Sequence, residues 1–280
     1  TLKRSNLINF LKRDLEKLIK SDYNISKIEQ LDKQIKLSFE NNEIVECDYL
    51  IISDGVFSKS KSLISNNKIK PIYNNTLAIR GILTKIPENI DDKNISVFFG
   101  SDFHHVIYPI NSRGELNFIA IMKYHLSSEE RNNYSNFSNN LFIKKVLEKI
   151  PLADKDFLEN LKELRIFPVF VSNNFYRLTN NNIHLIGDAF FAFPPSFAQG
   201  ASQSIESAYE LFKSIENNTE HNFFKNRVNR IKMINFRSKF NQFAFHLSNP
   251  LTIFFRDIFL KKLTKNKKFL ESYLGKIYRN

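Results

Sequence analysis

Hydrophobic and polar positions change period along the chain, and those changes divide it into elements. Over 5–20 the apolar residues Leu7, Phe10, Leu11, Leu15, Leu18 and Ile19 fall at helical spacing, with Ser5 as N-cap. From 23 to 53 the text shortens into alternating runs around an Asn41-Asn42 turn. This predicts a small β-meander that ends in a buried strand over 49–53. Four further strands are predicted at 76–83, 95–100, 104–110 and 116–122. Their connections hold Pro87, Asp91-Asp92, Ser101-Asp102 and Arg113-Gly114, so the four should form an antiparallel sheet of their own. Residues 127–149 read as helices with Leu141, Ile143, Val146, Leu147 and Ile150 as apolar positions, stopped by Pro151. A short helix over 154–164 and a strand over 165–171 follow. After Glu216 come two long basic helical stretches, 220–246 and 250–276.

The chemistry concentrates between Asn182 and Leu211. Ile183, Leu185 and Ile186 predict a buried strand. Gly187 then lets the chain turn where a Cβ would obstruct, and Asp188 stands at the strand's carboxyl end, where open α/β sheets place ligands. Pro194 and Pro195 stiffen a loop. From about Gln199 a helix begins, with Ile205, Ala208, Tyr209, Leu211 and Phe212 as its apolar positions. Its free N–H groups at Gly200, Ala201 and Ser202 would favour anionic or electron-rich ligand atoms. The plainer alternative is a strand–loop–helix crossover whose Asp caps the helix.

The order Gly187, Asp188, Ala189, Pro194, Pro195, Gln199, Gly200, Ala201, Glu206, Ala208 resembles the second flavin-binding motif of the class A flavoprotein monooxygenases, the aromatic-hydroxylase group. Phe191 replaces the usual His, Ala198 a Gly, and Ser202 an Asn. Asp48, Asp54, Gly55 and Ser58 are similar to a second fingerprint of that family, D-G-x-x-S-x-x-R, with Lys61 in place of Arg. Arg4, Leu7 and Leu11 fit its R-x-x-L-x-x-x-L pattern, in which the Arg reaches the flavin pyrophosphate; a bidentate guanidinium suits a diphosphate. Read without the family, Arg4 is a surface charge and Asp54-Gly55 a common turn.

The resemblance implies an α/β fold: a Rossmann-like FAD-binding domain from 1–70 and 165–220, an inserted antiparallel substrate-binding sheet from 71–164, and basic C-terminal helices from 221–280. It implies FAD as cofactor, NADH or NADPH and O2 as co-substrates, and hydroxylation of an aromatic small molecule. Asp188 would hold the ribitol, Arg4 the pyrophosphate, and the backbone from Gln199 to Ser202 the isoalloxazine edge, with Asp54, Gly55, Gly187 and Pro195 completing the cofactor set. HHVIYPI and Arg80-Gly81 resemble the salicylate-hydroxylase-like branch. Arg80, His104 and Tyr108 are the substrate candidates, and His104 and Tyr108 share a strand face and could orient a phenol and help remove its proton. An equally weighted reading is a sheet face whose polar tips reach water. His246, alone in an aromatic helix, reads as packing. A related quinone-precursor hydroxylase or geranylgeranyl-reductase-like enzyme is the alternative within flavoproteins. A flavin halogenase is disfavoured because the chain has no Trp.

Composition adds four things. The net charge of +12 lies at the C-terminal end: from Lys225 onward 14 Lys and Arg face two acids, and the preceding residues carry 27 of each sign. Such a region can meet nucleic acid or an anionic membrane surface, or be a solvated helical face. Peripheral membrane contact is kept open, no nucleic acid is expected, and a basic binding module is the non-enzyme alternative. A single cysteine, Cys47, and the absence of a signal peptide suit a reducing, cytoplasmic setting. No C-x-x-C or H-E-x-x-H occurs, so no metal is expected. Finally, G-x-G-x-x-G is missing among only 7 glycines. The first βαβ unit is therefore expected upstream of these residues, and FAD retention or activity by these 280 residues alone is not expected.

Overall fold

The computed structural model describes residues 4–32, 34–65, 69–85, 90, 93–110, 114–150, 155–178, 182–273 and 275. In chain order the elements are helix α1 (Arg4–Lys12), strands β1 (Ile25–Gln30), β2 (Ile35–Phe39), β3 (Ile44–Cys47) and β4 (Leu50–Ile52), and helix α2 (Lys59–Ile64). Strands β5 (Ile72–Leu83), β6 (Ser96–Gly100), β7 (Phe103–Pro109) and β8 (Leu116–Lys123) lead into helices α3 (Ser128–Asn132), α4 (Asn140–Leu147) and α5 (Lys155–Asn160). Strands β9 (Leu161–Val171) and β10 (Ile183–Leu185) precede helices α6 (Gly187–Phe191), α7 (Gly200–Glu216), α8 (Glu220–Phe245), α9 (Pro250–Leu263) and α10 (Lys267–Tyr273). The fold is mixed α/β. It divides into two compact units: a motif unit of Leu2–Asn74 with Phe170–Asn235, and a sheet unit of Asn75–Val169 with Phe236–Asn280.

In the motif unit, β1, β2 and β3 form the expected antiparallel meander, turned at Asn42 with φ 66°. β4 and β10 then pair in parallel, Leu50 opposite Ile183 and Ile52 opposite Leu185. A parallel pair needs a long crossover, so the two strands come from distant parts of the chain. Leu50, Ile52, Ile183 and Leu185 join Ile35, Leu37, Phe190, Phe191 and Ile231 in one apolar core. The strand expected to be buried over 49–53 is half so: Ile51 is 46% exposed, because its side chain points away from that core.

Two predicted helices and one predicted loop are corrected in this unit. The one expected over 5–20 ends at Lys12, where the charged Arg13-Asp14 pair follows and Asp14 takes the left-handed conformation (φ 66°) that stops helices. Arg4 and Ser5 both lie inside it, and Phe10 and Leu11 are exposed. A helical turn, α6, occupies residues given to the loop after Gly187. α7 buries Leu211 as expected but otherwise turns its polar side inward: Gln203, Ser207 and Ser214 are buried, while Ile205, Tyr209 and Phe212 are exposed. The cause is an ion-pair network. Arg227 of α8, 1% exposed, gives Nη1 to Glu206 and Glu210 at 3.0 Å each and Nη2 to the Gln203 side chain at 3.0 Å. Arg230 adds a 2.7 Å bond to Glu206. A buried guanidinium needs these carboxylates, so the polar side of α7 faces α8.

In the sheet unit the strand order is β6-β7-β8-β5-β9. β5 to β8 are antiparallel neighbours as expected, in registers that place Arg80 opposite Ile119 and Tyr108 opposite Asn117. The strand predicted over 165–171 starts at Leu161 and lies beside β5, which cuts the preceding helix to α5. Gly81 permits this approach, since a Cβ there would sit 2.6 Å from Leu161 Cδ1. The stretch expected to be helical over 250–276 breaks into α9 and α10 at Thr264, and Asn266 caps the restart by accepting from Phe269 N at 3.1 Å. The unit boundaries fall at 74/75, 169/170 and 235/236, against 70/71, 164/165 and 220/221 read from the sequence. Pro87, Asp91, Asp92, Arg113 and Pro151, assigned to connections and a helix stop, lie outside the described residues.

Candidate functional site

The parallel pairing of β4 and β10 sets the site. Both strands run the same way, so Asp54-Gly55 after β4 and Gly187-Asp188 after β10 emerge at the same carboxyl edge. Gly55 has φ 85° and Gly187 φ 57°, conformations that L side chains rarely adopt. A Cβ on Gly187 would also meet Ser204 Oγ of α7 at 2.9 Å, and its N–H donates to Ser207 Oγ at 3.2 Å. That glycine brings the β10 turn hard against α7.

Lys61 joins the two motifs. Ser58 caps α2 by accepting from Lys61 N at 2.9 Å, and Asp54 accepts from Ser60 N at 3.0 Å. These bonds fix the first turn of α2, and from it the Lys61 ammonium, 5% exposed, donates to the Ala189 carbonyl at 2.9 Å. Burial pulls the Lys61 pKa down, and the carboxylates of Asp54 and Asp188 push it back up. The Asp188 side chain opens to solvent on one side, yet enough protein surrounds it that burial raises its pKa, against which the charges of Arg4 and Lys61 act. Two cations and two carboxylates are thus coupled around the carboxyl edge.

The start of α7 completes the edge. Gln199 is its N-cap residue, without a side-chain capping bond, and is itself 7% exposed. Gly200, Ala201 and Ser202 are exposed, and a Cβ on Gly200 would meet nothing within 4 Å. The first-turn N–H groups have no carbonyl within the helix to bond. Pro195 is half-buried and its carbonyl accepts from Ala198 N at 2.9 Å. Ala198, standing where the motif has Gly, is held at φ 52°. Of the ten cofactor candidates, Arg4, Asp54, Asp188, Gly200, Ala201 and Ser202 are exposed and gather on the motif unit. This exposed ledge of charges of both signs beside a helix N-terminus fits a dinucleotide with a diphosphate and ribitol hydroxyls. A cavity of about 370 Å³ on the same unit is lined by Tyr176, Arg177, His184, Glu220 and Phe224 among others, and by none of the ten.

The substrate candidates lie in the sheet unit. Tyr108 is half-buried, and burial raises its phenol pKa while Arg80 and the Asn117 side chain act the other way. Arg80 and Tyr108 are therefore electrostatically coupled. His104 shares the strand face but has a different partner: its Nδ1 lies 2.8 Å from His246 Nε2. At 3% exposure, beside Phe245, burial and His246 hold its pKa down at about 3; burial holds His246 at about 4. Both rings are neutral near pH 7, so one can donate and the other accept. His246, read as a lone packing residue, is one half of this pair.

Lys61, Asn117, Arg227 and His246 escaped the sequence-based site list. Lys61 had a signal, its register in D-G-x-x-S-x-x-R; the other three depend on pairings between distant elements. Among the described residues, no group of three His, Cys, Asp or Glu side chains is placed to hold a metal ion.

The chain is similar to known proteins in sequence and in fold. Residues 29–220 match the family described as FAD binding domain. The chain is 22% identical over 205 residues to a chloroplastic zeaxanthin epoxidase of an Oncidium hybrid cultivar, covering 71% of this chain and 29% of that protein. It is 24% identical over 215 residues to a salicylate hydroxylase of Pseudomonas putida, covering 66% of this chain and 47% of that protein. The chain spans less than half the length of these curated relatives. Among solved structures, Klebsiella pneumoniae HpxO complexed with FAD and uric acid superposes with a TM-score of 0.70 at 15% identity, over 96% of this chain and 70% of that one. A salicylate hydroxylase substrate complex gives 0.69 at 16%, over 93% and 71%. At such identities the structural likeness shows the fold.

Proposed function

Because the chain belongs to the FAD binding domain family, we propose that it serves an FAD-dependent monooxygenase that hydroxylates an aromatic ring with NADH or NADPH and O2. The observation that carries this reading is the Lys61 bond to Ala189, which draws Asp54-Gly55 and Gly187-Asp188 together at one strand edge. Asp188 would accept from ribitol hydroxyls, Arg4 and Lys61 would balance the diphosphate charge, and the α7 N–H groups would meet the electron-rich edge of the flavin ring. Bound FAD supplies the redox and oxygen chemistry.

This chain's own contribution is position and charge. Arg80 and Tyr108 are assigned to the aromatic substrate: the guanidinium attracts a ring carboxylate or phenolate, and the Tyr108 hydroxyl donates to the ring oxygen. His104, held by His246, is assigned a positioning role. Support for an aromatic or heteroaromatic ring comes from the relative named for salicylate and the structure that holds uric acid. A reducing cytoplasmic setting accords with the single Cys47. The test is substrate-stimulated NAD(P)H oxidation by the intact flavin-loaded protein, with product analysis. Hydroxylated product formed in step with NAD(P)H consumption supports the assignment; no ring among salicylate-, pyridine- and purine-type compounds stimulating oxidation contradicts it.

A further inference from the structure

Helix α9 carries its charge and its apolar surface in an arrangement that the flavin chemistry does not use. Asn249 caps it by accepting from Leu251 N at 2.9 Å, and Pro250 opens it. One face, Ile253, Arg256 and Leu260, is partly covered; Arg256 donates to the Ala244 carbonyl of α8 at 3.4 Å and lies over the Phe99 ring. The opposite face, Leu251, Phe254, Phe255 and Ile258 at i, i+3, i+4 and i+7, is open to water, with Phe254 at 60% and Phe255 at 63% exposure. The end of α8 adds Phe236, Phe240 and Phe243, also exposed and at i, i+4 and i+7. An exposed apolar face of this kind marks an interaction site.

The charges say which. Lys262 ends the apolar stripe of α9, and Lys261, Lys265, Lys267 and Lys268 flank it, all exposed. We propose that α9 lies in the interface of an anionic lipid bilayer, with its Phe-rich face among the acyl chains and its C-terminal lysines on the headgroups. Its 14 residues span about 21 Å along the axis, too short to cross a bilayer, and among the described residues no helix is long and apolar enough to do so. With its other face held against α8 and β6, such a helix would lie along the membrane plane. A second copy of the chain would set these lysines against themselves, and a nucleic acid would leave Leu251 and Ile258 without a hydrocarbon partner.

Vesicle flotation of the protein tests this, with phosphatidylcholine vesicles made with and without phosphatidylserine. The protein has no Trp, so Phe255→Trp adds a single fluorescent reporter that needs no change in fold. Partitioning onto serine-containing vesicles with a blue-shifted Trp emission is expected. At about fivefold per lysine, Lys261→Gln/Lys262→Gln/Lys265→Gln should lower that partitioning on the order of a hundredfold. Phe254→Ser/Phe255→Ser should abolish it while circular dichroism stays unchanged. Equal partitioning onto both vesicle types, an emission that lipid does not move, displacement from vesicles by duplex DNA, or a lipid-free dimer that already shifts the Trp would each overturn the proposal.

Discussion

The Lys61 ammonium donates to the backbone carbonyl of Ala189 at 2.9 Å, across 128 residues of sequence. Lys61→Met would leave that buried carbonyl without its donor, and would remove a positive charge from beside the carboxylates of Asp54 and Asp188. A hydrogen bond from a charged group contributes about 1.5–3 kcal/mol, so urea unfolding should shift down by that amount. Lys61→Arg, with the guanidinium of the family pattern, should keep more of the stability than Met does. An unchanged midpoint in Lys61→Met would show that the contact does not hold the two motifs together.

Ala198 is held at φ 52°, a conformation that costs a residue with a Cβ about 1–2 kcal/mol. Ala198→Gly removes this strain but loosens the unfolded chain. The net expectation is a gain of about 0.5–1 kcal/mol, read as a higher thermal midpoint. A lower midpoint would mean that the loop before α7 relaxes elsewhere.

Arg227 bridges Glu206 and Glu210 from a position 1% exposed. Arg227→Met leaves Glu210 without its cation and Glu206 with Arg230 alone, and a loss of about 3 kcal/mol, the lower end for a broken buried pair, is expected in denaturant unfolding. A loss under about 1 kcal/mol would show that water takes over the pairing.

His104, His105 and His246 have pKa values held down, mainly by burial, at about 3, 4 and 4. The unfolded chain binds protons at these rings near pH 6.5, and the folded protein does not. Their contribution is therefore fully present above pH 6.5 and is lost as the pH falls from there toward 4 for His105 and His246 and toward 3 for His104. Each ring adds a slope of up to about 1.4 kcal/mol per pH unit. His104→Asn/His246→Gln should flatten that slope, measured as the urea midpoint against pH. A slope unaltered by the double substitution would contradict the account.

Strand periods and turn residues made the meander and the antiparallel sheet legible, because alternation reports a half-buried strand directly. The motif glycines were legible as well, since Gly187 does require both a positive φ and a close approach to α7. The inward face of α7 was not. Its apolar residues suggested one face, but Arg227 holds the other, and a long-range ion pair leaves no period in either helix. α1 ended early for a local reason, the left-handed Asp14, which a helical apolar pattern passes over. The His104–His246 pair needed β7 and α8 to meet, which spacing along either element does not report.

The most direct test of the flavin site is fluorescence titration of FAD into the intact protein and two variants, Asp188→Ala and Tyr108→Phe. Asp188 stands after β10 among Arg4 and Lys61, while Tyr108 belongs to the sheet unit with Arg80. Loss of a hydrogen bond to the Asp188 carboxylate should raise the dissociation constant on the order of tenfold to a hundredfold. Tyr108→Phe should bind FAD as the unaltered protein does and lose hydroxylated product per NAD(P)H consumed. Equal weakening of FAD in both variants, or none in Asp188→Ala, would contradict the assignment of the flavin to the edge formed by β4 and β10.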